Sequence, residues 1–172
     1  PKGVLLRLAL EEIRQEGDTI SCGVVKDGGD DPDTTHGLLI CAQVSRCSQP
    51  GVHIEGGMGV GRVTVPGLDQ PIGAAAINHV PRQMIQSAVS DVCRAYGYTG
   101  GIQVLVTVPE GAKAAEKTFN PRLGIQGGIS ILGTSGIVEP MSERALVKSI
   151  EVEMNVRIAQ GMRVLLVTPG NY

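Results

Sequence analysis

The chain has no tryptophan, one phenylalanine and three tyrosines among its 172 residues. So few rings leave almost no platform for stacking bases, and a net charge of −2 gives no broad basic field to neutralise phosphates. No nucleic-acid partner is expected. Long apolar runs are also missing: none reaches the roughly 18 residues of a membrane-spanning helix, and no signal-peptide pattern opens the chain. The expectation is a soluble, cytoplasmic protein with no membrane partner. Cys22, Cys41, Cys47 and Cys93 form no Cys-x-x-Cys pair and have no histidine at zinc-site spacing. They read as buried free thiols, and no metal site is expected.

Glycine is what the chain has in excess. It fills 24 positions, roughly twice its average share of about 7%, against a 42% hydrophobic content supplied mainly by aliphatic residues. That is the composition of a folded protein dense in tight loops, and the length fits one domain with a single core. The chain begins at Pro1 and stops just after a strand-like run, so a piece of a longer protein is expected.

Residues 3–10 and 18–26 read as two strands joined by a turn at Gln15, Glu16, Gly17 and Asp18, and residues 38–44 as a buried strand beyond an acidic loop. Residues 52–55 and 62–65 are short strand candidates on either side of a glycine loop. From Asn78 to Ala95, Met84, Ile85, Ala88, Val89, Val92 and Cys93 recur at helical spacing, with Asn78 placed to cap, Pro81 in the first turn and Gly97 as the stop. Residues 102–109 alternate as a half-buried strand, and residues 111–117 make a short helix. A second long helix runs from a Ser142 cap through Ile158, and residues 163–168 form a last strand. Strands that come first and then alternate with helices predict an α+β two-layer sandwich, a mixed sheet with helices on one face. No period of 20–50 residues recurs, which excludes a repeat protein.

Three segments carry chemistry. Residues 26–37 crowd Asp27, Asp30, Asp31, Asp33, Lys26 and His36 together. An EF-hand is excluded because the loop glycine at position six and the bidentate glutamate at position twelve are missing. Turn-forming aspartates account for part of the cluster, and proton transfer or hydroxyl recognition is the functional alternative. Residues 56–61 superficially resemble a dinucleotide fingerprint, but they join two short strands instead of a strand and a helix, which defeats that reading. What remains is a tight turn or a close-approach loop with Arg62 at its exit, suited to a carboxylate or phosphate. Asn78 and Arg82 open the first long helix, where free N–H groups favour an anion.

Residues 120–142 are the third segment. They combine five glycines with Asn120, Arg122, Ser130, Thr134, Ser135 and Glu139 and lead into a helix start, a composition whose N–H groups can face a polar or anionic ligand. No Ser-His-Asp order or nucleophile elbow occurs. His36, His53 and His79 share no metal-ligand spacing.

Taken with Gly59-Val60-Gly61-Arg62-Val63-Thr64, Pro66-Gly67-Leu68, Ala76-Ile77-Asn78 and Val80-Pro81-Arg82, these runs closely resemble the CbiD family, the cobalt-precorrin-5B C-1 methyltransferases, over nearly the whole chain. Pro169-Gly170-Asn171-Tyr172 resembles the family motif that joins two domains. The resemblance implies methyl transfer from S-adenosylmethionine to C-1 of cobalt-precorrin-5B, giving cobalt-precorrin-6A in anaerobic cobalamin biosynthesis, with cobalt present only as part of the substrate. It also implies that residues 1–172 form the N-terminal α+β domain, without the Thr-Gly-Thr-Cys-Ala segment before it and the Rossmann-like domain after it.

Motif density makes Asp27, Asp30, Asp31 and His36 the expected polar or acid–base residues near the reacting centre. Arg62, Asn78, Arg82, Asn120, Arg122, Gly127, Gly128, Ser130, Thr134, Ser135 and Glu139 hold the carboxylate-rich macrocycle or the methyl donor. The implied partner is a small-molecule tetrapyrrole, and a homo-oligomer or contact with other enzymes of the pathway is compatible with it. A non-catalytic tetrapyrrole-binding or scaffolding domain, and an anion- or nucleotide-binding module built on the glycine loops, are the competing classes.

Overall fold

The structure is a computed structural model, and it describes residues 6–29, 33–133, 143–166 and 168. Among the described residues, nine strands and three helices run in the order β1 (Glu11–Glu16), β2 (Thr19–Val25), β3 (Leu39–Cys47), β4 (Val52–Gly56), β5 (Gly59–Val60), β6 (Arg62–Val63), α1 (His79–Ala95), β7 (Gly101–Thr107), α2 (Gly111–Ala115), β8 (Ile125–Gln126), β9 (Gly128–Ile129) and α3 (Glu143–Ala159). Five of the strands form one sheet in the order β1-β2-β3-β7-β4. Its neighbours are antiparallel except β4 and β7, which run parallel. The mixed sheet expected from the sequence is therefore present.

Strand alternation sorts this sheet into an apolar and a polar face. Val44, Val104 and Ile54 lie in one cross-strand row, with Arg46, Ile102 and Val52 in another on the same face. The apolar members of these rows join Val106, Val108 and Ile77 in the main core, and α1 lays Ile85 and Val89 onto it. Full burial of a Val or Ile side chain is worth about 1.5–3 kcal/mol, so this central patch dominates the stability of the layer. The opposite face carries Arg14, Ser21, Gln43 and Thr107 around a half-open depression of about 250 Å³.

Two small sheets, β5 with β9 and β6 with β8, hold a second layer of chain beside the main one. They bury Val63, Ala76 and Ile125 as a satellite core. Glycine makes that crossing feasible. Gly59 has φ +74°, and a Cβ there would lie 1.7 Å from the Val108 carbonyl oxygen. Gly111 and Gly128 press on Gly59 from two further sides, their own Cβ positions 2.1 and 2.2 Å from its carbonyl oxygen. The glycine loop at 56–61 thus serves close approach of four backbone segments.

Several sequence expectations shift. The first strand starts at Glu11, and residues 6–10 carry no regular structure. The reason is the turn: Gly17 has φ +57°, the pairs Glu16 with Thr19 and Gln15 with Ile20 close the hairpin, and the last pair on β1 is Glu11 with Gly23. Of residues 163–168, expected as a strand, the described ones, 163–166 and 168, are not in one. Val164 and Leu166 stand 86% and 90% exposed and pair with no described strand, and a strand without a ladder leaves its backbone to water. The Ser142 cap, residues 3–5 and the 169–172 motif lie outside the described residues.

Candidate functional site

The sheet brings the chemistry-bearing loops to one end. The registers of Val25 with Leu39, Cys41 with Thr107 and Gly56 with Val106 put the β2–β3 loop beside the carboxyl ends of the parallel pair β4 and β7. The 56–61 loop leaves from there, and the parallel pairing of Gly59 with Gly128 and Val60 with Ile129 draws the glycine-rich run to the same end. The carboxyl ends of parallel strands are where open α/β sheets collect ligands.

In the β2–β3 loop the organising pair is Lys26 and Asp33. The ammonium of Lys26 donates to the Asp33 carboxylate and to the Thr35 hydroxyl, while the Thr35 N–H donates to Asp33 Oδ1 at 2.8 Å. Backbone bonds from Gly37 N–H to Lys26 O and from Lys26 N–H to Leu38 O clamp the base of the loop. Partial burial by itself would raise the Asp33 pKa, but the hydrogen bonds from Lys26 and from the Thr35 N–H and hydroxyl outweigh it and hold the carboxyl below its ordinary 3.8. A carboxylate whose pKa is depressed on folding contributes stability at pH values above 3.8 that is lost as the pH falls through the lower, folded value. The Thr35 amide resonance is therefore expected to titrate with a midpoint below 3.8 and to stay flat in Asp33→Asn. A midpoint at or above the ordinary value would contradict the clasp.

His36 and Asp27 sit on the outer side of the same loop. The Gly28 N–H donates to His36 Nδ1 at 2.9 Å, so Nδ1 carries the lone pair and Nε2 the hydrogen in the neutral ring. Asp27 Oδ1 lies 3.9 Å from that Nδ1 and accepts the Gly29 N–H at 2.9 Å. His36 and Asp27 are brought together and exposed, whereas Asp30 and Asp31 lie outside the described residues. Sequence reasoning grouped the aspartates by density and gave no separate role to Asp33; the Asp-Thr-Thr spacing, a hydroxyl-bearing turn beginning with Asp, was the available signal.

The arginines divide sharply. Arg62 donates to Glu55 Oε1 at 2.7 Å and to the Gly56 carbonyl at 2.6 Å, so its fork is filled from within. Arg82 is spent on main-chain oxygens: Nε to Ile77 at 2.8 Å, one terminal nitrogen to Ile54 at 2.9 Å and the other to Ala75 at 3.4 Å. It fastens the start of α1 to β4, with Nε and both terminal nitrogens engaged by main chain. Arg122 alone of the three makes no hydrogen bond or ion pair with a described residue; its guanidinium lies 5.9 Å from the centroid of the Phe119 ring.

Asn78 is the residue before α1, but its side chain makes no capping bond. The cap comes from Asp69, whose carboxylate accepts the His79 N–H at 2.8 Å. That carboxylate takes the place an anionic ligand was expected to take at the helix start, and it comes from a segment ten residues upstream. Asn78 instead donates its backbone N–H to Ile131 O at 2.9 Å, tying the glycine-rich run to α1.

Asn120 is the one buried polar side chain of the described core, 8% exposed. Its Nδ2 donates to Gly128 O at 3.0 Å and its Oδ1 accepts the Ser130 hydroxyl at 3.1 Å. Asn120, Gly128 and Ser130 are thus brought together as a brace under the run. Gly127, with φ +79° and nothing within 4 Å of a Cβ, is its open tip. Thr134, Ser135 and Glu139 lie outside the described residues. No described hydrogen bond or ion pair joins the acidic loop to this brace.

All four cysteines are unpaired and half-buried. Burial, then the charge of Glu12, pushes the Cys41 thiol above its ordinary 9.0, which makes it a poor nucleophile near neutrality. No three His, Cys, Asp or Glu side chains converge as metal ligands among the described residues, and no helix among those residues is long and apolar enough to cross a membrane.

Comparison with known proteins decides the family. The family model described as CbiD matches residues 1–140. The chain belongs to the CbiD family. Among CbiD relatives, the cobalt-precorrin-5B C(1)-methyltransferase of Ruminiclostridium cellulolyticum is 55% identical over 172 residues, covering 100% of this chain and 44% of the relative. The enzyme of the same name from Geobacillus kaustophilus is 55% identical over 170 residues, 99% of this chain and 46% of its own. The chain therefore spans a little under half the length of the curated relatives it matches. A crystal structure of the cobalamin biosynthesis protein CbiD from Archaeoglobus fulgidus aligns with a TM-score of 0.54 at 27% identity, over 84% of this chain and 46% of that one. That match supports the mixed α/β fold described above.

Proposed function

We propose that this chain is the macrocycle-holding α+β domain of an S-adenosylmethionine-dependent methyltransferase that methylates C-1 of cobalt-precorrin-5B. The observation that carries the reading is the 55% identity across the full chain to a protein named for that reaction. The local chemistry is compatible with it. A carbon nucleophile attacking a sulfonium methyl needs alignment more than a covalent intermediate, and the loop-bearing end of the sheet offers hydroxyls, amides, an exposed His36–Asp27 pair and one unpaired arginine, Arg122.

The methyl donor carries an adenine ring, which calls for an enclosed apolar slot. The two depressions described for this chain are half-open, and neither is such a slot. This reading gives the described residues the macrocycle. In this reading Arg62, Arg82 and Asn120 shape the site from behind, and Arg122, Asp27 and His36 face the substrate. Anaerobic incubation of the full-length protein with cobalt-precorrin-5B and S-adenosylmethionine should yield a macrocycle one methyl group heavier. Recovery of the macrocycle unchanged from folded protein would overturn the proposal.

A further inference from the structure

Phe119 is the only phenylalanine of the chain, and it stands 71% exposed. It lies on the turn between α2 and β8, with Lys117 two residues before it and Arg122 three after. Together with Glu116, Thr118 and Pro121 they line a half-open depression of about 510 Å³. Arg122 lies over the ring, and neither its side chain nor that of Lys117 forms a hydrogen bond or ion pair with a described residue. The depression therefore carries two cations against one carboxylate, Glu116, and neither cation is paired with it.

The turn that presents this patch is locked from below. The Thr118 hydroxyl donates to Ala115 O at 2.8 Å, the Asn120 N–H donates to Thr118 Oγ1 at 3.2 Å, and the Leu123 N–H donates to Phe119 O at 3.1 Å. Beneath them the buried Asn120 side chain grips Gly128 O. Holding an aromatic ring out in water forgoes the burial that a core position would give it, and holding it rigidly removes the ordering cost of binding.

We infer that Phe119, with Arg122 and Lys117, is a stacking platform for the flat face of the tetrapyrrole, the two cations pairing with carboxylates on its rim. The inference rests on the proposed function and adds to it a residue that contacts the ring system itself. The chemistry selects this ligand class: a ring face prefers a π-surface, a cation over that ring strengthens the stack, and flanking cations select an anionic periphery. A hydrophobic protein partner would have no use for two unpaired cations beside the ring.

The test uses full-length protein and cobalt uroporphyrin, a planar tetrapyrrole with eight carboxylates, as the probe. Phe119→Trp introduces an indole into a chain that has none, and its emission, taken as the difference from wild type, should be quenched on adding the probe. Phe119→Ala should weaken binding about tenfold, within the range seen for loss of one aromatic stack, with an unchanged melting temperature because the ring is exposed. Lys117→Glu should weaken binding at low salt and lose that effect as ionic strength rises. Equal affinity of wild type and Phe119→Ala, in protein that methylates cobalt-precorrin-5B, overturns the platform and leaves the proposed function standing. Wild-type protein that neither binds the probe nor methylates overturns both.

Discussion

Gly59→Ala is expected to abolish folding of this chain, whereas Gly127→Ala is expected to be tolerated. Both glycines have positive φ, +74° and +79°, and each would charge an alanine about 1–2 kcal/mol for that conformation. Their surroundings set them apart. At Gly59 the new methyl would sit 1.7 Å from Val108 O, with the Gly111 backbone 3.1 Å away, and all the nearest atoms belong to main chain that cannot step aside. Relief would require parting β5 from β9 and from the end of β7, so the loss should exceed about 4 kcal/mol, the exceptional end of single-residue effects. At Gly127 nothing lies within 4 Å. Soluble yield and amide exchange check this directly: the Gly61 N–H, bonded to Ile129 O at 2.8 Å, should lose protection in Gly59→Ala and keep it in Gly127→Ala. A folded Gly59→Ala protein with a protected Gly61 amide would show that the glycine crossing is not what joins the two layers.

The second large effect is expected at Arg82, and it should appear in stability and not in substrate affinity. Removing the guanidinium with Arg82→Met strands the carbonyls of Ile77, Ile54 and Ala75 around a partly buried space. Hydrogen bonds to charged groups contribute about 1.5–3 kcal/mol each, less whatever water restores, so a total loss of about 3 kcal/mol is expected. Arg82→Lys should recover only part of it, because an ammonium cannot reproduce three donors in a planar fork. Thermal melts and steady-state kinetics separate the two roles. A melting point several degrees lower with KM unchanged is the predicted result; an unchanged melting point with a raised KM would mean that Arg82 grips the substrate.

What was legible in the sequence was whatever short-range periodicity encodes. The strands at 39–47, 52–56 and 101–107 and the helices at 79–95 and 143–159 follow from alternation or from apolar spacing, and the polar and apolar faces of the sheet follow with them. The acidic loop was legible as a place but not as a mechanism. Density drew attention to Asp27, Asp30 and Asp31, while the clasp is made by Asp33 with Lys26 and Thr35, because the flanking strands bring Lys26 and Thr35 to the same side. The long-range contacts were not legible at all. Asp69 capping α1 and Arg82 bonding to Ile54, 28 residues away, depend on how the 62–78 segment folds back, which no local pattern specifies. The same limit applies to the glycines. Gly59 and Gly127 look alike in a glycine-rich run, and only the backbone crossing at Gly59 separates a position that needs glycine for space from one that needs it for a turn.

Regiochemistry tests the central claim most directly. Full-length protein would be incubated anaerobically with cobalt-precorrin-5B and S-adenosylmethionine carrying a 13C-labelled methyl group, and the product examined by carbon NMR. The account predicts one enriched methyl resonance coupled to C-1 of the macrocycle. An enriched methyl at another ring carbon, or none on a macrocycle that the folded protein nevertheless binds, would contradict it.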